Sequence, residues 1–352
     1  MMNKSVSINI EKVKKFIKTK SVLILMICII SSMTGSLYAG IDSESSSLEM
    51  IKQNQIKFVQ KNKTKLASLV TNINKVSKRY MITGTNKLFD KENAQAVTEY
   101  LIKIKNYTLL KDYITGINEL NLGGCNINDK QIKHLVHILK KNKTVQTIDL
   151  SLNNISVKGA KYIAYLLKNN PTIKSINLGL NQIGDEGVKI IAEALQKNKT
   201  LESLNISVNS ISDNGASYIS NLIKKNNSLK QIKINDNNIT ANGAVDITRA
   251  LKHDNLIEII DLSYNLIGDN GAMAIAILMN DVFNKNKSLS YLNLGLNNIG
   301  DAGAMALYVA MQSLSTQARE KIEVDLSNNS IGEKAKDIMY LLPKNPNKKI
   351  TL

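Results

Sequence analysis

Residues 177–187 read NLGLNQIGDEG, and residues 293–303 read NLGLNNIGDAG. A chain that repeats itself this closely is a candidate repeat array, and such periods take precedence over other signals. Aligning outward on the pattern L-x-x-L-x-L-x-x-N-x-L, with Ile or Val allowed for Leu, finds the unit eight times. It begins at Ile117, Val145, Ile173, Leu201, Leu229, Ile257, Leu289 and, with lysine in the first slot, Lys321. The first five steps are 28 residues and the last two are 32. The two opening stretches are the third and seventh units.

Each part of the unit implies a local structure. Ile176-Asn177-Leu178 alternates apolar and polar, as a strand with one buried face does. The ninth slot holds Asn153, Asn181, Asn209, Asn237, Asn265, Asn297 and Asn329. An amide with two donors and an acceptor can satisfy backbone groups where the strand bends away, so these residues are expected to form a structural ladder. Cys125 takes that slot in the first unit and is read as structural rather than reactive. Asp185 and Glu186 suit a helix N-terminus. Gly159, Gly187, Gly215, Gly243, Gly271 and Gly303 recur at one position, which predicts close approach to a neighbouring strand, because glycine is a poor helix former. Ile163 with Leu167, and Ile191 with Leu195, give an inward helical stripe. A tag such as KNKT, KNNP or KNKS then returns the chain to the next strand.

Strand, crossover helix and parallel strand in succession build a right-handed coil. Helices are wider than strands, so the expected fold is an α/β solenoid, a horseshoe with a concave parallel sheet and convex helices. The unit resembles the ribonuclease-inhibitor-like class of leucine-rich repeats. Asn265 to Ala272, NLIGDNGA, carries the likeness, which runs over residues 117–352. The resemblance implies a binding surface rather than a catalyst. Its relatives include protease and nuclease inhibitors, immune sensor domains, the Ran GTPase-activating protein and many exported bacterial proteins.

The ends read differently. Six lysines (Lys4, Lys12, Lys14, Lys15, Lys18, Lys20) precede the apolar run Val22 to Ile30, and small residues follow to Ala39. This is the layout of a cleaved signal peptide over residues 1–39, and the nine-residue run is shorter than the ~20 a membrane span needs. An uncleaved membrane anchor is the alternative. Cleavage would remove the six lysines and Glu11, taking the net charge from +17 to +12, and would leave Cys125 as the one cysteine, with no internal disulfide. Residues 40–116 do not repeat. Two amphipathic stretches, Leu66-Leu69-Val70-Ile73-Val76 and Ala94-Val97-Leu101-Ile104, predict a helical N-terminal segment or cap. The final PKNPNKKITL mimics a tag and the start of one more strand, a truncated cap for the repeat domain 117–352.

No catalytic constellation is visible. His134 and His137 are i, i+3 on one predicted helix, but no third ligand accompanies them, and neither metal nor cofactor is expected. The three arginines, Arg79, Arg249 and Arg319, are scattered, and none marks an arginine finger of the kind a GTPase activator would use. What remains is surface. The eighth slot reads Gly124, Leu152, Leu180, Val208, Asp236, Tyr264, Leu296, Asn328. Leu152, Leu180, Val208, Tyr264 and Leu296 are expected to stand exposed as an apolar strip that binds a protein partner. The fifth slot (Asn121, Asp149, Asn177, Asn205, Lys233, Asp261, Asn293, Asp325) is polar to acidic, which argues against a nucleic-acid groove. Lys140, Lys141, Lys143, Lys168, Lys197, Lys199, Lys224, Lys225, Lys285 and Lys287 fall at helix ends and tags. The fold would stack them along one edge, suited to acidic surfaces. The expected function is an exported, non-enzymatic protein-binding scaffold. The alternatives are electrostatic adhesion through the lysine edge and a GTPase activator.

Overall fold

A computed structural model describes residues 110–111, 114–253, 256–341 and 349–351. The expected signal peptide, and the expected helical segment 40–116 except for residues 110–111 and 114–116, lie outside the described residues. Among the described residues, nine three-residue strands form one sheet in chain order, every neighbouring pair parallel. They are β1 (Glu119–Asn121), β2 (Thr147–Asp149), β3 (Ser175–Asn177), β4 (Ser203–Asn205), β5 (Gln231–Lys233), β6 (Ile259–Asp261), β7 (Tyr291–Asn293), β8 (Glu323–Asp325) and β9 (Lys349–Thr351). Helices cross between them: α1 (Asp129–Leu139), α2 (Val157–Asn169), α3 (Gly184–Leu195), α4 (Asp213–Lys225), α5 (Ala241–Ala250), α6 (Gly268–Phe283), α7 (Asp301–Ser313) with the short α8 (Thr316–Lys321), and α9 (Glu333–Leu341). This is the leucine-rich repeat solenoid expected of the sequence. The strand at the C-terminus, β9, pairs Lys349 with Glu323 and Thr351 with Asp325.

The core is aliphatic, as a chain without tryptophan requires. Leu120, Ile148, Ile176, Leu204, Ile232, Ile260, Leu292 and Val324, the central residues of β1 to β8, are all fully buried. Equal spacing keeps each of them opposite its counterpart, Ile148 with Ile176 and Ile176 with Leu204. The two longer units leave that register intact, with Ile260 opposite Leu292 and Leu292 opposite Val324. Four residues are close to one helical turn. In the sixth unit they lengthen α6 to 16 residues, and in the seventh the chain adds α8 after α7. At the other end Leu110 and Ile114 are fully buried, so the chain just before β1 contributes to the core of the first unit.

Side-chain hydrogen bonds join each unit to the next in three rows. In the first row the ninth-slot amides reach back across the interface. Asn209, wholly buried, donates to its own Ile206 and Ser207 carbonyls (3.2 and 2.9 Å) and to Leu178 of the preceding unit (2.9 Å), while its oxygen accepts from Ile183 N–H of that unit (3.1 Å). Asn153, Asn181, Asn237, Asn265 and Asn297 repeat this geometry with Leu122, Leu150, Ile206, Ile234 and Leu262. Asn329 reaches back to Leu294 in the same way. In the first unit Cys125 takes this slot, with a contact from Sγ to the Gly123 carbonyl (3.7 Å).

The second row lies in the tags. Asn142, Asn170, Asn198, Asn226 and Asn286 donate to Ile114, Leu139, Leu167, Leu195 and Leu251, at or near the C-terminal end of the preceding helix in all but the first case. Those are carbonyls a helix cannot satisfy internally. The amide oxygens cap the N–H groups of the turn that follows, as Asn170 does for Thr172 and Ile173.

The third row couples helix starts. Asp185 accepts from Ser212 N–H (2.8 Å), its hydroxyl (2.5 Å) and Gly215 N–H (3.1 Å) of the next unit. Asp213 does the same for Thr240 and Gly243. The recurrent glycine is thereby explained, with a correction. The close approach is not to a strand. A Cβ on Gly215 would lie 2.5 Å from the Asp185 carboxylate and 2.4 Å from Ile211 Cγ2. Where the aspartate is replaced, by Val157 in the second unit and Ala241 in the fifth, the next unit begins its helix with Gly184 or Gly268 at φ +60° and +59°. These glycines turn their N–H groups to Asn209 and Asn297 carbonyls instead.

Asn209→Ala strips partners from buried carbonyls in two units and from Ile183 N–H. A loss of roughly 1–3 kcal/mol, read from the chemical-denaturation midpoint, is expected. A midpoint that stays in place would mean the row is not holding the units together.

Candidate functional site

After each strand the backbone ladder runs on for two more residues, as in Leu152 N–H to Gly179 C=O and Leu180 N–H to Ser207 C=O, both 2.9 Å. The chain must then turn sharply to bring the ninth-slot asparagine inward. It does so at the eighth slot, and all eight residues there adopt a left-handed conformation: Gly124 (φ +70°), Leu152 (+53°), Leu180 (+56°), Val208 (+53°), Asp236 (+53°), Tyr264 (+56°), Leu296 (+55°) and Asn328 (+56°). Glycine, asparagine and aspartate enter this region readily. Other residues pay about 1–2 kcal/mol in steric conflict between Cβ and the following carbonyl. Gly124, Asp236 and Asn328 are therefore the comfortable residues, and the five apolar ones are not. Gly124, Asp236 and Asn328 are the signal in the sequence that could have pointed to this turn, which the expectations above did not include.

The turn aims these side chains outward. Leu152, Leu180, Tyr264 and Leu296 are between 42% and 61% exposed, and Leu266 beside Tyr264 is exposed as well. Val208 differs from the expectation and is half-buried. The five residues lie along one edge, with the exposed carboxylate of Asp236 between Val208 and Tyr264.

The neighbouring strand face is polar, and much of its polarity is spent internally. The fifth-slot side chains accept from the N–H two residues on: Asn121 from Gly123, Asp149 from Ser151, Asn177 from Gly179, Asn205 from Ser207. Lys233 alone cannot accept such a bond. Near the C-terminal end Tyr291 donates to Asp325 at 2.8 Å. Burial, and then this bond to a carboxylate, push the Tyr291 phenol up to about 12. Burial pushes Asp325 the other way from its net shift. The Ser327 N–H and hydroxyl and the Tyr291 phenol together hold its carboxyl below the ordinary value. At the strand entrances Lys174, Glu202, Lys230 and Glu258 alternate in sign, and Lys230 meets Glu202 at 2.9 Å. The hydrogen bond from Lys230 lowers the Glu202 carboxyl.

The lysines of the tags flank the tag asparagines, so the second hydrogen-bonded row also spaces the positive edge. Lys285 is bound to Asp281, which also holds Lys252, both at 2.5 Å. Hydrogen bonds from Lys252 and Lys285 bring the Asp281 carboxyl to about 2. Among the described residues, none of the other nine lysines of this edge is in an ion pair. His134 and His137 stand exposed on α1, and among the described residues no group of three or more His, Cys, Asp or Glu side chains could hold a metal ion. Arg249 is on α5, 3.8 Å from Asp246, away from the strand face; Arg79 lies outside the described residues. Cys125 is buried.

The family model described as Leucine Rich repeat matches residues 141–164, 169–192, 197–220, 225–247, 253–276 and 285–307. These stretches fall on the second to seventh of the units described above, which are thus similar to leucine-rich repeats. A comparison with curated proteins found no match. Among solved structures, that of Leiomodin-1 Actin-Binding Site 2 (ABS2) is 23% identical, aligned over 45% of this chain and 87% of that one, with a TM-score of 0.36.

The Tyr291 shift has a definite sign. The fold favours the neutral phenol, so the stability this adds is complete below the ordinary value of 10.0 and is lost as pH rises towards about 12. Tyr291→Phe should flatten the alkaline limb of a stability–pH curve. An unchanged limb would remove the Tyr291–Asp325 pair as its cause.

Proposed function

We propose that this leucine-rich repeat protein is a non-enzymatic scaffold that captures a protein partner on the strand-end edge of its array. The contact comprises the apolar strip (Leu152, Leu180, Val208, Tyr264, Leu296) and the adjoining strand face. One observation carries the reading. Exposed leucines and a tyrosine occupy a left-handed position that each of them fills at a cost to the fold. Local stability favours asparagine or glycine there. Backbone strain and exposed apolar surface at the same residues are features of interaction sites. Repeats of this kind generally serve as binding scaffolds, and the 28-residue unit with a full helix supports placing them in the ribonuclease-inhibitor-like class. The basic and apolar runs of residues 1–30 support export through a cleaved signal peptide.

A second reading, electrostatic adhesion to an anionic surface, is favoured by the unpaired lysines spaced along the tag edge. The two separate by salt. Exposed charges act within a Debye length of about 8 Å at physiological ionic strength, so lysine-driven binding collapses as salt rises, and strip-driven binding does not.

Leu180→Asn and Leu296→Asn test the main reading, because asparagine relieves the left-handed strain. Partner capture should fall while the denaturation midpoint holds or rises by about 1 kcal/mol. A lowered midpoint with capture intact would make the strip packing, not interface.

A further inference from the structure

Three exposed asparagines precede the recurrent glycine: Asn214-Gly215 on α4, Asn242-Gly243 on α5 and Asn270-Gly271 on α6. Glycine has no side chain to keep its own nitrogen from the amide carbon of the asparagine before it. All three sites continue with alanine, as Asn-Gly-Ala, so the residues that follow make them alike. The fold does not. Gly215 N–H donates to the Asp185 carboxylate and Gly243 N–H to the Asp213 carboxylate, both at 3.1 Å. At Gly271 the aspartate row is interrupted. Ala241 stands where the carboxylate would be, with its Cα 3.0 Å from a Cβ built on Gly271. Gly271 N–H donates instead to the Ile267 carbonyl of its own turn, at 3.2 Å. The start of α6 is weak in a second way. The Ser212 hydroxyl caps α4 by accepting from Asn214 N–H, whereas α6 has no side-chain cap and carries Gly268 and Gly271 in its first turn. An uncapped end containing glycine frays most readily. The start of α5 also lacks a side-chain cap, but its glycine keeps the Asp213 carboxylate.

We propose that Asn270 is a site of spontaneous deamidation and isoaspartate formation, selected over Asn214 and Asn242 by the gap in the aspartate row. When the first turn of α6 frays, the Gly271 nitrogen can reach Cγ of Asn270. The nitrogen gives its proton to solvent and bonds to Cγ. The Cγ–Nδ2 bond breaks, and Nδ2 leaves as ammonia with a proton taken from solvent. Water then opens the cyclic imide at one of its two carbonyls, giving aspartate or isoaspartate. The sum is asparagine plus water to acid plus ammonia, and nothing is oxidised or reduced. At Gly215 and Gly243 the same step must first break a bond to a carboxylate and then deprotonate a nitrogen beside a negative charge. Charge-assisted bonds are roughly twice as strong as neutral ones, a difference on the order of tenfold in rate. The product reaches beyond its own helix. Asp269, the residue before, holds the seventh unit through Gly300 N–H (2.6 Å) and Gly303 N–H (2.9 Å). Isoaspartate lengthens the main chain by a methylene at residue 270 and shifts that carboxylate from its donors, so conversion loosens the joint between the sixth and seventh units.

Peptide mass spectrometry on the full chain, aged in its folded state at mildly alkaline pH, tests this, with the chain aged in denaturant as the reference. The reference should convert all three asparagines at similar rates. In the folded chain Asn270 should convert about tenfold faster than Asn214 or Asn242, the ratio set by the bond each glycine must break. Ala241→Asp, which restores a carboxylate opposite Gly271, should slow Asn270 towards the other two. Asp213→Ala should quicken Asn242 while Asn270 keeps its rate. Equal folded-state rates at the three sites overturn the proposal, as does a folded chain in which Asn270 survives while the denatured chain loses it. An Ala241→Asp chain that folds with an unchanged circular-dichroism spectrum and converts Asn270 at the original rate overturns it as well.

Discussion

The structure rests on an amide that belongs to two repeats at once. Each ninth-slot asparagine closes the bend of its own unit and reaches a carbonyl about 31 residues earlier, as Asn209 does with Leu178. The three-residue strands are too short to define a sheet by their backbone bonds alone. The asparagines add partners buried from water, where an unmade bond is costly. The tag asparagines repeat the device at the opposite end of the strand, and the aspartates repeat it at the helix starts. Where all three rows are present, a unit is held at three points to the one before it, as the fourth unit is to the third through Asn209, Asn226 and Ser212.

That holding dictates where side chains can go. Bringing the asparagine inward forces the residue before it into a left-handed turn and points that residue outward. The backbone conformation follows from the fold, while the side chain is left free. A chain under no other constraint would place glycine or asparagine there in every unit, as Gly124 and Asn328 do. Leu152, Leu180, Tyr264 and Leu296 depart from that, each at a cost to the fold, and it is on this departure that the proposed contact surface rests. The strand face beside it differs in kind, because Asp149, Asn177 and Asp325 spend their polar atoms on their own backbone.

Much of this was legible in the residues. The 28-residue period identified the strands, their parallel register and the fold, because side chains recurring at one spacing can only stack. The asparagine slot was visible too. Less visible was that its bonds cross units, since a contact between Asn209 and Leu178 has no local signature. The tags read as turns, yet Asn142, Asn170, Asn198 and Asn226 are bridging residues as much as turn residues. Their recurring N-x-S/T triplets are packing motifs, with hydroxyls such as that of Thr172 returning to the asparagine oxygen. The recurrent glycine was recognised as a close approach but assigned to the wrong neighbour, because the Asp185 carboxylate arrives from another helix. The left-handed turn was hidden behind the apolar residues that occupy it.

The aspartate row carries a consequence for how such an array can change over generations. Repeats look interchangeable, and duplicating or deleting one would preserve every strand pairing. The joints are not interchangeable. Asp185 needs a hydroxyl residue such as Ser212 ahead of it, and Asp269 a bare N–H at Gly300. Val157 and Ala241 are each followed instead by a glycine at positive φ, Gly184 and Gly268. A recombination point between such partners would leave a carboxylate without its donors, or a left-handed glycine facing an unmatched neighbour. The heritable module is therefore the joint, half of one unit and half of the next, and the visible repeat is its shadow.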